Sequence, residues 1–317
     1  MTTNSPAEKS APDASFVVPC FNEQEAIPVF YAELLRVVEP MKISFEIVFV
    51  DDGSGDGTLA EMRELAAKDS RVHYVSFSRN FGKEAALLAG METARGNVVA
   101  TMDVDLQDPP SVFPDCWRAV SEEGFDCAAT RRVTRKGEPP IRSFFSRKFY
   151  SVMAKISDAH IVDGARDYRV MRREMVDAIL KLRERNRFSK GIFSWVGFKT
   201  KWFEFENVER AAGETKWSFG KLLLYSFSGI VAFSTVPLQI SSLAGIIFAA
   251  GSLIGIVVTI LLKLLGHSMV WGWPTLVCLI LFVSGVQLLC IGVLGQYLAK
   301  TYIETKQRPQ YIVHERK

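Results

Sequence analysis

Cysteine is scarce in this chain of 317 residues, and the five present (Cys20, Cys116, Cys127, Cys278 and Cys290) form no C-x-x-C pair and follow no zinc-ligand spacing. That argues against a disulfide framework or a structural zinc site and fits reduced thiols in a cytosolic compartment. An excess of one charge is also missing. The formal net charge of +3 is too small to indicate a nucleic-acid partner. The absence with the largest consequence is local: no Asp, Glu, Lys or Arg occurs from Leu222 to Leu262, nor from Leu264 to Ala299.

A membrane-spanning helix needs about 20 mainly apolar residues. "VPLQISSLAGIIFAAGSLIGIVVTILL" and "WPTLVCLILFVSGVQLLCIGVLGQYLA" each satisfy that, and neither carries the polar face of a soluble surface helix. The link between them holds only Lys263 and His267, whereas the C-terminal end carries Lys300, Lys306, Arg308, Arg316 and Lys317. The positive-inside bias therefore places both termini in the cytoplasm and the 263–271 link on the far side, with Trp271 and Trp273 at that interface. Gly245, Ala249, Gly251 and Gly255 on the first span permit close helix packing, and hence a homo-oligomer.

The rest of the chain alternates. Residues 1–14 read as a polar, disordered tail. "SFVVPCFNE" is a short buried strand, after which Asn22 and Glu25 suggest a capping box for a helix bearing Ala26, Ile27, Phe30, Leu34 and Val38. Strands at 45–54, 72–77, 96–103 and 125–130 alternate with helices at 58–68, 82–94 and 111–122. Uniformly apolar strands between helices predict a mainly parallel α/β sheet covered on both faces. Such sheets bind ligands at the carboxyl ends of their strands, where Asn22, Asp51, Asp52 and Asp103 fall. Residues 131–155 hold eight basic residues against Glu138 alone. The apolar face of the 141–157 segment suits an interfacial helix on an anionic bilayer, or a core-covering helix with a solvated basic face. A second surface helix is expected over 217–233, within a juxtamembrane segment spanning 211–233.

Three motifs carry chemistry. "VDDGSGDGT" (50–58) is an acidic, Gly-rich turn suited to a ribose hydroxyl or a base N–H, and it lacks the G-x-G-x-x-G dinucleotide spacing. "TMDVDLQDPP" (101–110) crowds Asp103, Asp105 and Asp108 at a strand end, which costs stability unless positive charge stands opposite. A D-x-D pair there can hold a hard divalent cation that bridges a diphosphate, or can be a solvated acidic turn. Asp108 before Pro109-Pro110 reads as the start of the next helix. "ERAAGETKWS" (209–218) can clamp a phosphate through a flexible loop, or serve only as a basic topology determinant.

In their order, "VVPCFNE", "VDDGSGDGT", "NFGKEAALLAG", "DVDLQDPP", "GARDYRVMRRE" and "RAAGETKWSF" resemble the family-2 inverting glycosyltransferases of the GT-A (Rossmann-like) fold. With two C-terminal spans the chain looks like the membrane-anchored bactoprenol glucosyltransferases and their dolichol-phosphate-mannose-synthase relatives. The resemblance implies a cytoplasmic GT-A catalytic domain over 15–210, a two-helix transmembrane domain over 234–299 and a cytoplasmic tail over 300–317. It implies that Pro19, Asn22, Glu23, Asp51 and Asp52 line the nucleotide sugar and that Asp103 meets its ribose or sugar. Asp105 and Gln107 would hold Mg²⁺ or Mn²⁺. Asp167 matches the carboxylate that acts as base or orients the acceptor, although "DYRVMRRE" by itself could be a surface turn. Arg131, Arg210 and Lys216 would meet donor diphosphate and acceptor phosphate.

The function expected is single transfer of a hexose, glucose first, from a UDP-sugar to undecaprenyl (polyprenyl) phosphate at the bacterial inner membrane. A GDP-sugar, UDP-N-acetylglucosamine or a UDP-aminopentose are the alternative donors. The Q-x-x-R-W motif of processive synthases is absent, which favours one transfer over polymerisation. A soluble nucleotidyltransferase would leave the spans without a purpose. A transporter subunit would leave the strand-end carboxylates unexplained, and its spans would offer no polar path.

Overall fold

A computed structural model of the chain describes residues 11–132, 162, 164–205, 231, 234–265 and 272–317. The first half alternates as β1 (Ala14–Cys20), α1 (Ala26–Val38), β2 (Phe45–Asp51), α2 (Thr58–Lys68), β3 (Val72–Phe77), α3 (Lys83–Thr93), β4 (Val98–Thr101), α4 (Phe113–Ser121) and β5 (Cys127–Arg132). Then come β6 (Ala165–Arg172), α5 (Arg173–Lys181), α6 (Ser189–Trp195) and β7 (Thr200–Phe205). Two long helices follow, α7 (Val236–Leu264) and α8 (Trp273–Thr305), and a last strand, β8 (Val313–Arg316). The interfacial segments expected at 141–157 and 217–233 lie outside the described residues, apart from Val231.

All eight strands form one sheet in the order β7-β5-β6-β4-β1-β2-β3-β8. β1 pairs in parallel with β2 and β4, β2 with β3, and β5 with β7. Two strands run against the others. β6 enters between β4 and β5, antiparallel to both, and β8 pairs antiparallel with β3. The reversal of β6 has a functional consequence: its first residues lie at the edge where the parallel strands end.

Strands β1 to β4 are mainly apolar because both faces are covered. Phe16, Val18, Ile47 and Phe49 face α1 residues such as Ile27, Phe30 and Leu34, all completely buried. Val17 and Val99 turn the other way, towards Leu87 and Met91 of α3 and Met175 and Ile179 of α5. Gly90 lets α3 lie close on the sheet, since a Cβ there would stand 2.2 Å from the Val17 side chain. Burying each such Val, Leu or Phe side chain contributes about 1.5–3 kcal/mol.

α7 and α8 hold stretches long and apolar enough to cross a membrane, Val236–Gly255 and Leu279–Thr305, and neither stretch is buried inside the chain. α8 runs past residue 299 to Thr305 and then turns back onto the sheet. Tyr311 stacks on Phe77 with ring centroids 4.8 Å apart, and Arg63 Nε donates to Glu315 at 3.0 Å. Part of the segment expected as a cytoplasmic tail thus closes the β3 edge, which would otherwise present unpaired backbone groups.

Candidate active site

The carboxyl ends of β1 and β2 are stitched together by their loops. Asn22 does not cap α1, which begins at Ala26 with Glu25 at its N-cap. Instead Asn22 adopts a left-handed backbone, φ 54°, and its side-chain oxygen accepts from Gly55 N–H at 2.8 Å. Its own N–H donates to the Ser54 hydroxyl at 2.9 Å, and Glu23 N–H donates to Thr58 Oγ1 at 2.8 Å. The local sequence resembles a capping box, yet the cross-loop bonds take Asn22 elsewhere.

Asp51 and Asp52 both lie buried beneath this turn. Asp51 accepts from Ser54 N–H at 2.9 Å and from the Ser76 hydroxyl at 2.7 Å. Asp52 accepts from Phe81 N–H at 2.6 Å and Gly82 N–H at 2.9 Å, tying the start of α3 to the end of β2. Burial pushes its carboxyl up, against the pull of those two donors. Gly53, which follows them, has φ +66° and sits against the backbone of Arg79, where a Cβ would come within 2.3 Å. Only glycine fits. Pro19 and Glu23 are partly exposed and Asn22 is exposed on the open side of the same loops.

Further along the edge, three charged groups converge. Lys83, at the first position of α3, places its ammonium 2.7 Å from Asp103 Oδ1 and 2.6 Å from Asp167 Oδ2. Asp103 follows β4, and Asp167 comes from reversed β6, where Thr101 Oγ1 donates to the Asp167 carbonyl at 2.6 Å. Although burial raises it, the Lys83 ammonium holds the Asp167 carboxyl far below the usual range, aided by Lys190 and Arg166. Asp167 is therefore an anion at neutral pH. A carboxylate so held positions a partner better than it accepts a proton.

Asp108 does not start the helix after β4. Its side chain is completely buried and pairs with Arg166 Nε at 2.8 Å. Burial pushes its carboxyl up to about 6, with Arg166 pulling the other way. Between Asp103 and Asp108 the loop doubles back through Leu106, whose φ of 56° is rare for a leucine. The Asp105 carboxylate accepts from Gln107 N–H at 3.1 Å and is partly exposed on the open side. The Gln107 side-chain oxygen faces Arg166 at 3.4 Å.

Of the residues expected from sequence, Pro19, Asn22, Glu23, Asp51, Asp52, Asp103, Asp105, Gln107 and Asp167 thus share one edge of the sheet. Arg131 stands at the same edge, at the end of β5, where it pairs with Glu204. Arg210 and Lys216 lie outside the described residues. Sequence reading missed Lys83 and Arg166. The spacing of "NFGKEAALLAG" marks a helix start, but only the tertiary pairing shows which carboxylates its lysine meets.

A divalent cation suits this donor set. Hard cations of the Mg²⁺ type use one or two carboxylates and complete their shell with substrate phosphates and water. Among the described residues no three His, Cys, Asp or Glu side chains gather into an all-protein cage. Asp105, two residues after Asp103, offers a partly exposed carboxylate.

Residues 15–180 match the family described as Glycosyl transferase family 2. The chain belongs to that family. It is 42% identical over 302 residues to the prophage bactoprenol glucosyl transferase homolog of Escherichia coli (strain K12), covering 94% of this chain and 97% of the relative. It is 42% identical over 306 residues to the bactoprenol glucosyl transferase of Shigella phage SfV, covering 96% and 98%. Among solved structures it is similar to the mannosyltransferase PcManGT of Pyrobaculum calidifontis, determined with GDP-Man and Mn²⁺. That likeness has 15% identity, a TM-score of 0.45, and coverage of 92% of this chain and 88% of the other. Among the described residues, this glycosyltransferase carries its family motifs on one edge of a mainly parallel sheet, as the GT-A resemblance predicts.

Proposed function

We propose that this glycosyltransferase moves one hexose, glucose as the first candidate, from a UDP-sugar to a polyprenyl phosphate at a membrane surface. The observation that carries the reading is the Lys83-bridged pair Asp103 and Asp167 beside Asp105, in a chain that also bears two exposed apolar helices. The names of its relatives across nearly their whole length support the acceptor class.

An oxygen of the acceptor phosphate attacks the anomeric carbon while the bond from that carbon to the nucleoside diphosphate breaks on the opposite face. The products are the inverted glycosyl phosphate lipid and the nucleoside diphosphate. The phosphate nucleophile is already an anion, so Asp167 needs only to orient it. Lys83 keeps Asp167 charged and holds Asp167 and Asp103 in place. Pro19, Asn22 and Glu23 line the base and ribose, and Asp51 and Asp52 hold the loops that present them. Arg131, with Arg210 and Lys216 from the juxtamembrane segment, supplies positive charge for the phosphates. Asp105, assisted by Gln107, would hold Mg²⁺ or Mn²⁺, which supplies charge neutralisation on the leaving diphosphate.

The assignment of catalytic domain, two-helix membrane domain and cytoplasmic termini belongs to the same proposal. The contacts of β8 favour it, because they hold the chain's C-terminal end on the catalytic domain.

The test offers purified full-length protein undecaprenyl phosphate and a panel of labelled UDP- and GDP-sugars, including N-acetylglucosamine, mannose and aminopentose donors. Label should enter the organic phase from UDP-glucose with Mg²⁺ or Mn²⁺, and Asp105→Ala should abolish it. No lipid-linked product from any donor would sink the proposal. Full activity in chelator would remove the metal role of Asp105.

A further inference from the structure

A cleft of about 320 Å³ opens where the catalytic domain meets the end of α8, lined by residues other than the Asp103–Asp167 cluster. Five of its lining residues are cations: Arg79 before α3, Arg185 and Arg187 between α5 and α6, and Lys306 and Arg308 just beyond α8. Glu84 is the one acidic lining residue, and its carboxylate accepts from the Ser189 N–H at 2.9 Å and from the Ser189 hydroxyl. Arg185 is balanced by Glu304, 3.7 Å away, and donates to the Arg308 carbonyl at 2.7 Å.

Arg187 is the telling residue. It is 8% exposed, and one guanidinium nitrogen donates to the Leu182 carbonyl at 2.5 Å. Its Nε and a second terminal nitrogen are buried without a hydrogen-bond partner. Leaving donors of a charged group unsatisfied is costly, and a bound water, ion or ligand is one way the missing acceptor is supplied. The guanidinium fork matches the oxygens of a phosphate. The place is equally specific. The uncharged run of α8 ends at Ala299 and the helix continues to Thr305, so Lys306 and Arg308 stand just past the helix end, on the side where it would leave a bilayer for the headgroups.

We propose that this cleft binds a phosphate group, carried by an anionic phospholipid at the point where α8 leaves the membrane. Arg187 takes the phosphate oxygens from below, and Lys306 and Arg308 close over it from the helix end. The site would couple membrane charge to the seating of the catalytic domain, because Arg79 and Glu84 flank the segment that carries Lys83. It needs α8 to span a membrane, but it is independent of which sugar is transferred.

The test uses full-length protein in nonionic detergent and follows the thermal unfolding midpoint. Short-chain phosphatidylglycerol, phosphatidylcholine of the same chain length, and inorganic phosphate are titrated separately. Phosphatidylglycerol should raise the midpoint saturably and phosphatidylcholine should not. Half-saturation should shift about tenfold or more in Arg187→Gln and in the double variant Lys306→Ala/Arg308→Ala, the loss expected for a charged hydrogen bond. If Arg187→Gln does not fold, the exposed double variant decides. Equal saturation by inorganic phosphate, with the same sensitivity to the variants, would keep the phosphate site and make free phosphate its source. Variants that respond like the wild type, or a wild type with no saturable response to either phosphate compound, would overturn the proposal. None of these readouts involves sugar transfer.

Discussion

The Lys83 ammonium lies 2.6 Å from the Asp167 carboxylate, joining the start of α3 to a strand that runs against its neighbours. Its second contact, 2.7 Å to Asp103, makes it the hub of the carboxylate edge. A cation between two anions can be a structural pin or part of the reaction's electrostatics, and stability separates the two. Lys83 is 43% exposed, and ion pairs with that much water access are worth about 1 kcal/mol or less. Lys83→Met should thus leave the unfolding midpoint nearly unchanged. Its effect on kcat should be larger, on the order of a hundredfold, the loss typical when a preorganised charge partner is removed. Lys83→Arg should restore part of the rate. A stability loss that accounts for the lost activity would reduce Lys83 to a pin.

Arg166 and Asp108 form the other pair beside the site, and there the balance reverses. The Asp108 side chain is completely buried, so removing Arg166 strands a carboxylate with little water to receive it. Arg166→Leu should destabilise the protein by about 3 kcal/mol, near the lower end for a broken buried pair. Chemical denaturation of the two proteins in the same detergent measures this directly. A loss below about 1 kcal/mol would mean that Asp108 finds another donor.

These two pairs also mark the limit of what the sequence discloses. The positions of β1 to β4 and of α1 to α3 follow from apolar runs and periodicity, because each element buries its own local pattern, although β2 and β4 end earlier than expected. The gathering of Asp51, Asp103 and their neighbours at one edge follows from the α/β alternation. β6 is less visible: "GARDYRVMRRE" carries four arginines and no clean alternation. Its Arg169 is buried between the rings of Phe193 and Trp202, an arrangement that residue type alone argues against. The placement of Asp167 beside Asp103 depends on that reversed strand. Asn22 was misleading for a related reason, since its partners lie 32 and 33 residues away.

Glu46 gives a pH prediction away from the active site. It is buried on β2, where burial raises its carboxyl but donors from Arg95 and Ser15 outweigh that and hold it below its ordinary value. The contacts are 2.6 Å from Arg95 N–H, 2.7 Å from the Arg95 guanidinium and 2.7 Å from the Ser15 hydroxyl. A depressed folded value means that the unfolded chain binds the proton more readily. The contribution is therefore complete above the unfolded value of about 4.3 and is lost as pH falls through the folded one. Glu46→Gln should cost about 2 kcal/mol at neutral pH, the scale of charged hydrogen bonds. Its deficit against the wild type should shrink on acidification. A deficit independent of pH would contradict the charge-based account.

The last strand makes the final prediction. β8 and the residue that leads into it join the far edge of the sheet through Tyr311 on Phe77, Glu315 with Arg63 and Tyr74, and Lys317 N–H to the Tyr74 carbonyl at 3.0 Å. Were these contacts incidental, Tyr311→Ala would leave the protein's stability unaltered. A stacked aromatic pair contributes about 0.5–1.5 kcal/mol beyond its buried area, so a measurable fall in the unfolding midpoint is expected instead. Removing residues 311–317 should do more. It opens the β3 edge to strand pairing with other molecules and frees the end of α8 from the catalytic domain. The truncated protein should aggregate on concentration in detergent where Tyr311→Ala remains dispersed, as size-exclusion chromatography would read out. If truncation changes neither the midpoint nor the elution profile, β8 is dispensable, and the anchoring of α8 rests on the contacts of Glu304 with Arg185 and Asn186.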